Sequence, residues 1–184
     1  MAFDSQPTLV GKLVVARPLR ADDHAALYTV ASDPLIWEQH PEPERYKPAV
    51  FDKLFAESLD SGGALIVHDA AMQALIGSSR YHGYDEGLSE VEIGWTFLAR
   101  SHWGGRYNGE LKRLMLEHAF RFVESVIFYI GPDNLRSQRA LHKVGGIPEP
   151  ARDEPGRLCY RIRRPQWQGN IDRSHLTADK ATPR

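Results

Sequence analysis

One stretch of the chain, residues 90–124, joins a strand pattern to a helix pattern through a glycine-rich connection. Its first part, residues 91–98, is β-branched or aromatic at most positions, which favours a strand. Apolar residues then recur at helical spacing from Tyr107 to Val123. The segment SHWGGRYNG, residues 101–109, lies between the two. The stretch therefore predicts a strand–loop–helix unit, around which the rest of the fold must be arranged.

The glycine-rich segment has the composition of an anion-binding helix start. The first N–H groups of a helix have no partner within the helix, and the helix dipole favours negative charge beside them. A phosphate or diphosphate is a ligand that such a site can hold. Strand, glycine loop and helix also occur in ordinary connections that bind nothing, so the residues of this loop alone leave both interpretations open.

Two motifs in the chain carry a family resemblance. The strand contains Glu92-Ile93-Gly94-Trp95 and Leu98, and Trp103-Gly104 and the run NGELK from Asn108 follow it. Further on, residues 131–146 read GPDNLRSQRALHKVGG. In this order the segments resemble motifs A and B of the GNAT superfamily of acyl-CoA N-acyltransferases. More narrowly, they resemble its ribosomal-protein N-terminal acetyltransferase (RimJ/RimL-type) branch.

The resemblance covers roughly residues 11–167 and implies a single α/β (α+β) domain. The expected fold has a mixed, mainly antiparallel central sheet flanked by helices. Residues 1–10 are expected to form a lead-in, and residues 168–184 a flexible tail. The local patterns predict helices over 24–31, 50–59, 107–123 and 134–144, and strands over 12–19, 64–69, 74–84, 91–98, 126–130 and 158–164. Asp22 and Asp23 are expected to cap the first helix.

Composition limits the class of protein. The 184 residues are 42% hydrophobic and 26% charged, which is ordinary for one globular domain. The formal net charge of −1 argues against a nucleic-acid backbone as the main partner. Cys159 is the only cysteine, which fits a reducing compartment. No apolar run reaches the length of a membrane span, so we expect a cytoplasmic protein without a membrane partner.

The resemblance implies that acetyl-CoA is the acyl donor and an amine the acceptor. Backbone amides near Leu98 would hold the pantetheine arm, and Asn134 would bind the same arm while it caps its helix. The other residues that the resemblance places at the donor site are Gly104, Gly105, Arg106, Asn108, Gly109 and Arg139. No sequence pattern indicates a metal site.

Acetyl transfer to an amine requires two proton transfers. The amine must lose a proton to become nucleophilic, and Glu92 occupies the position of a general-base glutamate in several members of the superfamily. The departing thiolate must gain a proton, and Ser137, at the first turn of its helix, is the candidate donor. A structural carboxylate and a helix-capping serine are the competing interpretations of these two residues.

The chain departs from the superfamily pattern at several positions, among them Gly109 in place of a Thr or Ser and Gly146-Ile147 in place of the closing phenylalanine of motif B. Arg106 stands where a glycine is expected, and Leu141 replaces a tyrosine that often serves the thiolate. These departures keep open a non-catalytic acyl-CoA-binding or interaction protein. Oligomeric state also stays open, a homodimer included. The acceptor candidates are Trp37, His40, Tyr46 and His82.

Overall fold

A single mixed sheet runs through the molecule, as the described residues, 2–167 of a computed structural model, show. Its strands lie in the order β1-β2-β3-β4-β5-β6-β8-β7. Neighbouring strands are antiparallel except for β5 and β6, which are parallel. The predicted fold class is confirmed. The strands are β1 (Leu9–Val10), β2 (Val14–Pro18), β3 (Ala64–Asp69), β4 (Leu75–Asp85), β5 (Glu90–Leu98), β6 (Ser125–Ile130), β7 (Ile147–Pro148) and β8 (Leu158–Arg163).

Helices cover both faces of this sheet. The α-helices are α1 (His24–Ala31), α2 (Pro48–Asp60), α3 (Arg106–Ala119) and α4 (Leu135–Lys143). Buried residues of α3 and α4 form one core cluster with the sheet, and those of α1 and α2 form a second cluster. The two clusters bury opposite faces of β3, because successive side chains of a strand point to opposite faces: Leu65 belongs to the first and Ile66 to the second.

Several boundaries differ from the sequence prediction for identifiable reasons. Helix α2 begins at Pro48, since the first helical position needs no N–H donor. Helix α3 ends at Ala119, although Val123 beyond it is still buried. The two-residue strands β1 and β7 are too short to show a periodic pattern. The predicted tail, residues 168–184, lies outside the described residues.

The predicted position of the N-cap of α1 is confirmed, but the capping hydrogen bond is not formed. Asp23 occupies the N-cap position, but its side chain makes no capping hydrogen bond to α1. Its carboxylate instead accepts from the guanidinium of Arg17 and from the backbone N–H of Arg20. These bonds hold the end of β2 against the turn that leads into α1.

Strands β5 and β6 pair over only part of their length. The parallel ladder joins Glu90–Glu92 to Ser125–Ile127 and then stops. Farther along, β5 contains a bulge opposite β4, and Trp95 in it has a φ of 51°. A bulge bends and twists its strand. The far part of β5 therefore leaves β6, and a cleft opens between the two strands.

Glu110 of α3 fastens the N-terminal hairpin to the helix that borders this cleft. Its carboxylate accepts three backbone N–H groups, from Lys12 (3.1 Å), Leu13 (2.6 Å) and Val14 (2.9 Å). We expect Glu110→Ala to lower the free energy of unfolding by about 2–3 kcal/mol, because three amides lose a charged acceptor. Chemical denaturation measures this loss.

Glu117→Ala is the matched control for that experiment. Glu117 lies on the same helix, but it pairs only with Arg113 at the surface, where an i,i+4 ion pair contributes about 0.5 kcal/mol. Equal losses of stability in the two variants would contradict the anchoring role of Glu110.

Candidate functional site

The cleft between β5 and β6 has a volume of about 560 Å³. We call it the β5–β6 cleft. Its walls come from the end of β5, the start of α3, helix α4 and the segment that follows α1. Of the residues that the sequence predicted for the donor site, the lining includes Leu98, Gly104, Gly105, Asn108, Gly109, Asn134 and Arg139.

Two glycines shape the loop at the mouth of this cleft. Gly104 and Gly105 have φ values of 102° and 101°, in a region that side chains other than glycine rarely adopt. Gly105 is the N-cap of α3, and a Cβ added at Gly104 would meet nothing within 4 Å. The first helical hydrogen bond runs from the amide of Gly109 to the carbonyl of Gly105. The amides of residues 106–108 therefore precede the helical ladder and suit an anion.

Helix α4 forms the opposite wall of the cleft. Its N-cap is Asn134, whose Oδ1 accepts from the backbone N–H of Ser137 at 3.0 Å. This bond fixes the Asn134 side chain, and no described residue accepts from its amide NH₂, which can donate to a ligand. Ser137 lines the cleft from the first turn of the helix. The structure thus brings together Asn134, Ser137 and the glycine loop.

The charged side chains that line the β5–β6 cleft are positive. Lys112, Arg136, Arg139 and Lys143 line it, and within the described residues no aspartate or glutamate does. Formally these four side chains contribute +4 in a protein whose net charge is −1. A cleft lined by one sign of charge concentrates ligands of the opposite sign. The site is therefore built for a ligand that carries several negative charges.

Arg106, predicted to bind the donor, is exposed and is not part of the cleft lining. The residue that packs against the loop is Arg136. Its guanidinium lies 3.9 Å from the centre of the Trp103 ring and donates to the carbonyl of Ile36 at 3.0 Å. The indole N–H of Trp103 in turn donates to the carbonyl of Leu98 at 2.9 Å. These contacts hold the glycine loop, the end of β5 and the segment after α1 in fixed positions.

Glu92 is buried in the sheet, and its exposed fraction is 8%. Burial is the main cause that raises its pKa to about 7, while Arg157 and Arg80 oppose that rise. A carboxylate with this pKa is suited to general-base work near neutral pH. Glu92 does not itself line the β5–β6 cleft. It lies where β5 and β6 still pair, directly opposite His82 of β4.

The four acceptor candidates occupy different places. Trp37 and His40 line the cleft, and burial lowers the pKa of His40 to about 4, so its ring is neutral at pH 7. His82 lies next to the Trp95 ring, with 5.2 Å between the ring centres, on the face that carries Glu92. Tyr46 packs against the second core cluster, and its carbonyl accepts from the Tyr28 hydroxyl at 3.1 Å.

Lys112 entered the sequence analysis only as the last residue of the NGELK run, without a functional role. It is 7% exposed, lines the cleft and lies 5.0 Å from the centre of the Phe128 ring on β6. One signal was present: Lys112 shares the buried stripe of α3 with Met115 and Ala119, where an apolar residue is expected. A charged residue in a buried stripe is costly unless it is paired, so its presence indicates a possible functional role.

A mixed sheet that opens between two parallel strands, next to a glycine loop and four cations, is suited to a phosphate-bearing ligand. The comparison with family models makes the assignment specific. Residues 14–147 match the acetyltransferase (GNAT) domain model. The chain belongs to the GNAT acetyltransferase family, whose members use acetyl-CoA. No protein with a curated description matches the chain.

Solved structures share this fold at low sequence identity. A GCN5-related N-acetyltransferase from Brucella melitensis is 18% identical over 89% of this chain and 81% of its own, with a TM-score of 0.73. An acetyltransferase from Agrobacterium tumefaciens is 22% identical over 89% and 98%, with a TM-score of 0.69. Mycobacterium smegmatis RimJ, solved in complex with CoA-disulfide, is 19% identical over 90% and 91%, with a TM-score of 0.69.

The described residues contain neither a membrane-spanning helix nor a cluster of metal ligands. No helix in residues 2–167 combines the length and apolarity of a membrane span. Within the same residues, no group of three His, Cys, Asp or Glu side chains is arranged to hold a metal ion.

Proposed function

We propose that this protein is an N-acetyltransferase that transfers the acetyl group of acetyl-CoA to a primary amine, by direct attack while both substrates are bound. One observation carries the proposal. The β5–β6 cleft offers a glycine loop at a helix start together with the cations Arg136, Arg139 and Lys143, and among the described residues its lining has no acidic side chain. This arrangement suits the phosphate groups at one end of CoA.

The depth of the cleft suits the remaining part of the donor. Between the glycine loop and the point where β5 and β6 meet, the cleft is bordered by residues 96–98 of β5 and by Asn134 and Ser137 of α4. On the cleft side this part of β5 has no ladder partner among the described residues. Its free backbone groups and the Asn134 amide can bind the amides of a pantetheine arm. The thioester then lies near the inner end.

Glu92 is our candidate base. Its raised pKa and its position beyond the inner end of the cleft favour proton removal from the acceptor through a water molecule. Ser137 is the candidate hydrogen-bond donor to the departing sulfur, because its hydroxyl borders the same cleft. The acceptor would approach the face of the sheet that carries Glu92 and His82, beside the segment with Trp37 and His40.

The acceptor class is a primary amine, either a protein N-terminus or a small molecule. The fold shared with RimJ and the motif resemblance support testing N-terminal peptides first. A panel of peptides and small amines, with release of the CoA thiol as the signal, separates these classes.

Calorimetric titration with CoA tests the donor site. We expect saturable binding, which Asn134→Ala weakens about 10-fold, because the variant loses a ligand contact and the cap of α4. Arg139→Ala and Arg106→Ala form a matched pair. The first removes a cation that lines the cleft and should weaken binding, whereas the second removes an exposed cation outside the lining and should not.

Absence of CoA binding at millimolar concentration would overturn the proposal. Binding without turnover on any amine in the panel would favour a non-catalytic acyl-CoA-binding protein. Equal losses of affinity in the two arginine variants would show that CoA binding depends on the overall positive charge near the cleft. A specific contact with a cation in the lining would then not be needed.

A further inference from the structure

Among residues 2–167, the ammonium of Lys112 has no counter-charge. Desolvation alone shifts the pKa of this lysine, and it lowers the pKa to about 8. No aspartate or glutamate of the described residues lines the cleft around it. The nearby charged and titratable side chains of the lining are Arg136, Arg139 and Lys143 of α4, together with His40 and His102. A buried, unpaired cation is costly unless a ligand supplies the opposite charge.

The position of Lys112 identifies which part of the ligand it meets. The residue lies seven positions beyond Gly105 on α3, about 10 Å deeper along the helix axis than the glycine loop. Its ammonium is next to Phe128, which directly follows the last β6 residue paired with β5. Lys112 is therefore at the inner end of the cleft. In a CoA thioester whose diphosphate is at the glycine loop, that end receives the sulfur.

The reaction develops a negative charge at this place. When the amine nitrogen bonds to the carbonyl carbon, the carbon–sulfur bond breaks and its electron pair remains on sulfur. The residue that often serves this thiolate in the superfamily is a tyrosine, and its position here is Leu141, which is fully buried and apolar. The Ser137 hydroxyl can donate a hydrogen bond to sulfur, but it is far less acidic than a thiol and cannot end the step deprotonated.

We propose that Lys112 is a catalytic residue that pairs with the departing CoA thiolate and gives it a proton. The inference rests on the proposed function. The ammonium loses one proton to sulfur, neutral CoA thiol leaves, and the amine of Lys112 takes a proton back from water. A lysine pKa of about 8 is close to that of a thiol, about 8.5, so the proton moves with little cost in either direction.

Bound CoA gives a test that needs no acceptor. The protein is saturated with CoA and titrated with base. The ultraviolet absorbance of the thiolate then gives the pKa of the bound CoA thiol. In the wild-type protein we expect this pKa about 1–3 pH units below that of free CoA, because a cation lies beside the sulfur. Lys112→Met, which keeps the volume and removes the charge, should return it most of the way to the free value, since the Ser137 hydroxyl can still donate to the sulfur. Lys112→Arg should keep most of the decrease.

Kinetics complete the test once an acceptor is known. Lys112→Met should lower kcat about 10²-fold or more, with little change in the KM for acetyl-CoA. Ser137→Ala serves as the comparison and should raise the bound-thiol pKa by less than Lys112→Met does, because a hydroxyl hydrogen bond stabilises the thiolate less than an adjacent cation does. The methionine variant removes a buried unpaired charge, so we expect it to fold at least as stably as the wild type.

The outcomes separate this inference from the proposed function. If CoA does not bind the wild-type protein, the proposed function fails. If CoA binds and its thiol pKa is the same in the wild type and in Lys112→Met, the donor site stands and the role of Lys112 is overturned.

Discussion

Glu92→Gln should lower kcat by about 10²- to 10⁴-fold while acetyl-CoA binding stays unchanged. Glutamine keeps the size of the side chain but cannot accept the proton that the amine must lose. In the wild-type protein, the rate should rise with pH through about 7, because only the deprotonated carboxylate is a base and burial raises the pKa of Glu92 to that value. The variant should lose this inflection. Steady-state kinetics against pH measure both effects.

The pH dependence of the unfolding free energy tests the raised pKa of Glu92 without any acceptor substrate. The usual glutamate pKa is 4.5 and that of buried Glu92 is about 7, so folding favours the protonated form. Between these pH values the wild type loses stability as pH rises, in total up to about 3 kcal/mol. The glutamine variant lacks this loss, and its advantage should grow from pH 4.5 to 7 and then level off. A difference independent of pH would show that Glu92 does not titrate in this range.

Glu90→Gln is the matched control for the kinetic experiment. Glu90 lies two residues earlier on β5 and is also buried, but Arg152 and Arg161 pair with its carboxylate. Without the Glu90 carboxylate, the guanidinium groups of Arg152 and Arg161 lose their shared counter-charge, so this variant should lose stability. It should keep the pH inflection of the rate. Loss of the inflection in both variants would point to a general effect on β5.

Gly105→Ala should weaken CoA binding by at least about 10-fold, or 1.4 kcal/mol. The φ of 101° at Gly105 is unfavourable for alanine, and a shifted loop no longer presents the amides of residues 106–108 to a phosphate. The methyl group would also lie near the Lys143 ammonium, 3.9 Å from its Nζ. Calorimetry with CoA measures the loss.

Gly62→Ala controls for backbone strain. Gly62 has a φ of 60° in the turn after α2, and a Cβ added there meets nothing within 4 Å. Both alanine variants should lose about 1 kcal/mol of unfolding free energy. Only Gly105→Ala should lose CoA affinity. A similar loss of affinity in Gly62→Ala would mean that strain anywhere in the fold disturbs the cleft, and that the glycine loop has no special role.

Local patterns predicted much of the fold because they report on backbone geometry and on burial. The strand at Ala64–Asp69 and the helix at His24–Ala31 agree with the structure at both ends. The acetyltransferase family was also visible in the two motifs before the domain match confirmed it. The fine structure of the cap at Asp23 was not predictable, because Arg17 competes for the same carboxylate from a neighbouring strand.

The sequence by itself determined the elements, their order and the glycine loop, since these depend on residues close together in the chain. Only the tertiary structure decided which side chains meet in the β5–β6 cleft. The bulge at Trp95 separates β5 from β6, and folding buries Lys112 at the inner end of the opening, without a counter-charge from the part of the chain that the structure describes. Burial and charge pairing depend on residues distant in the chain, so neither the raised pKa of Glu92 nor the unpaired ammonium of Lys112 can be seen in the sequence alone.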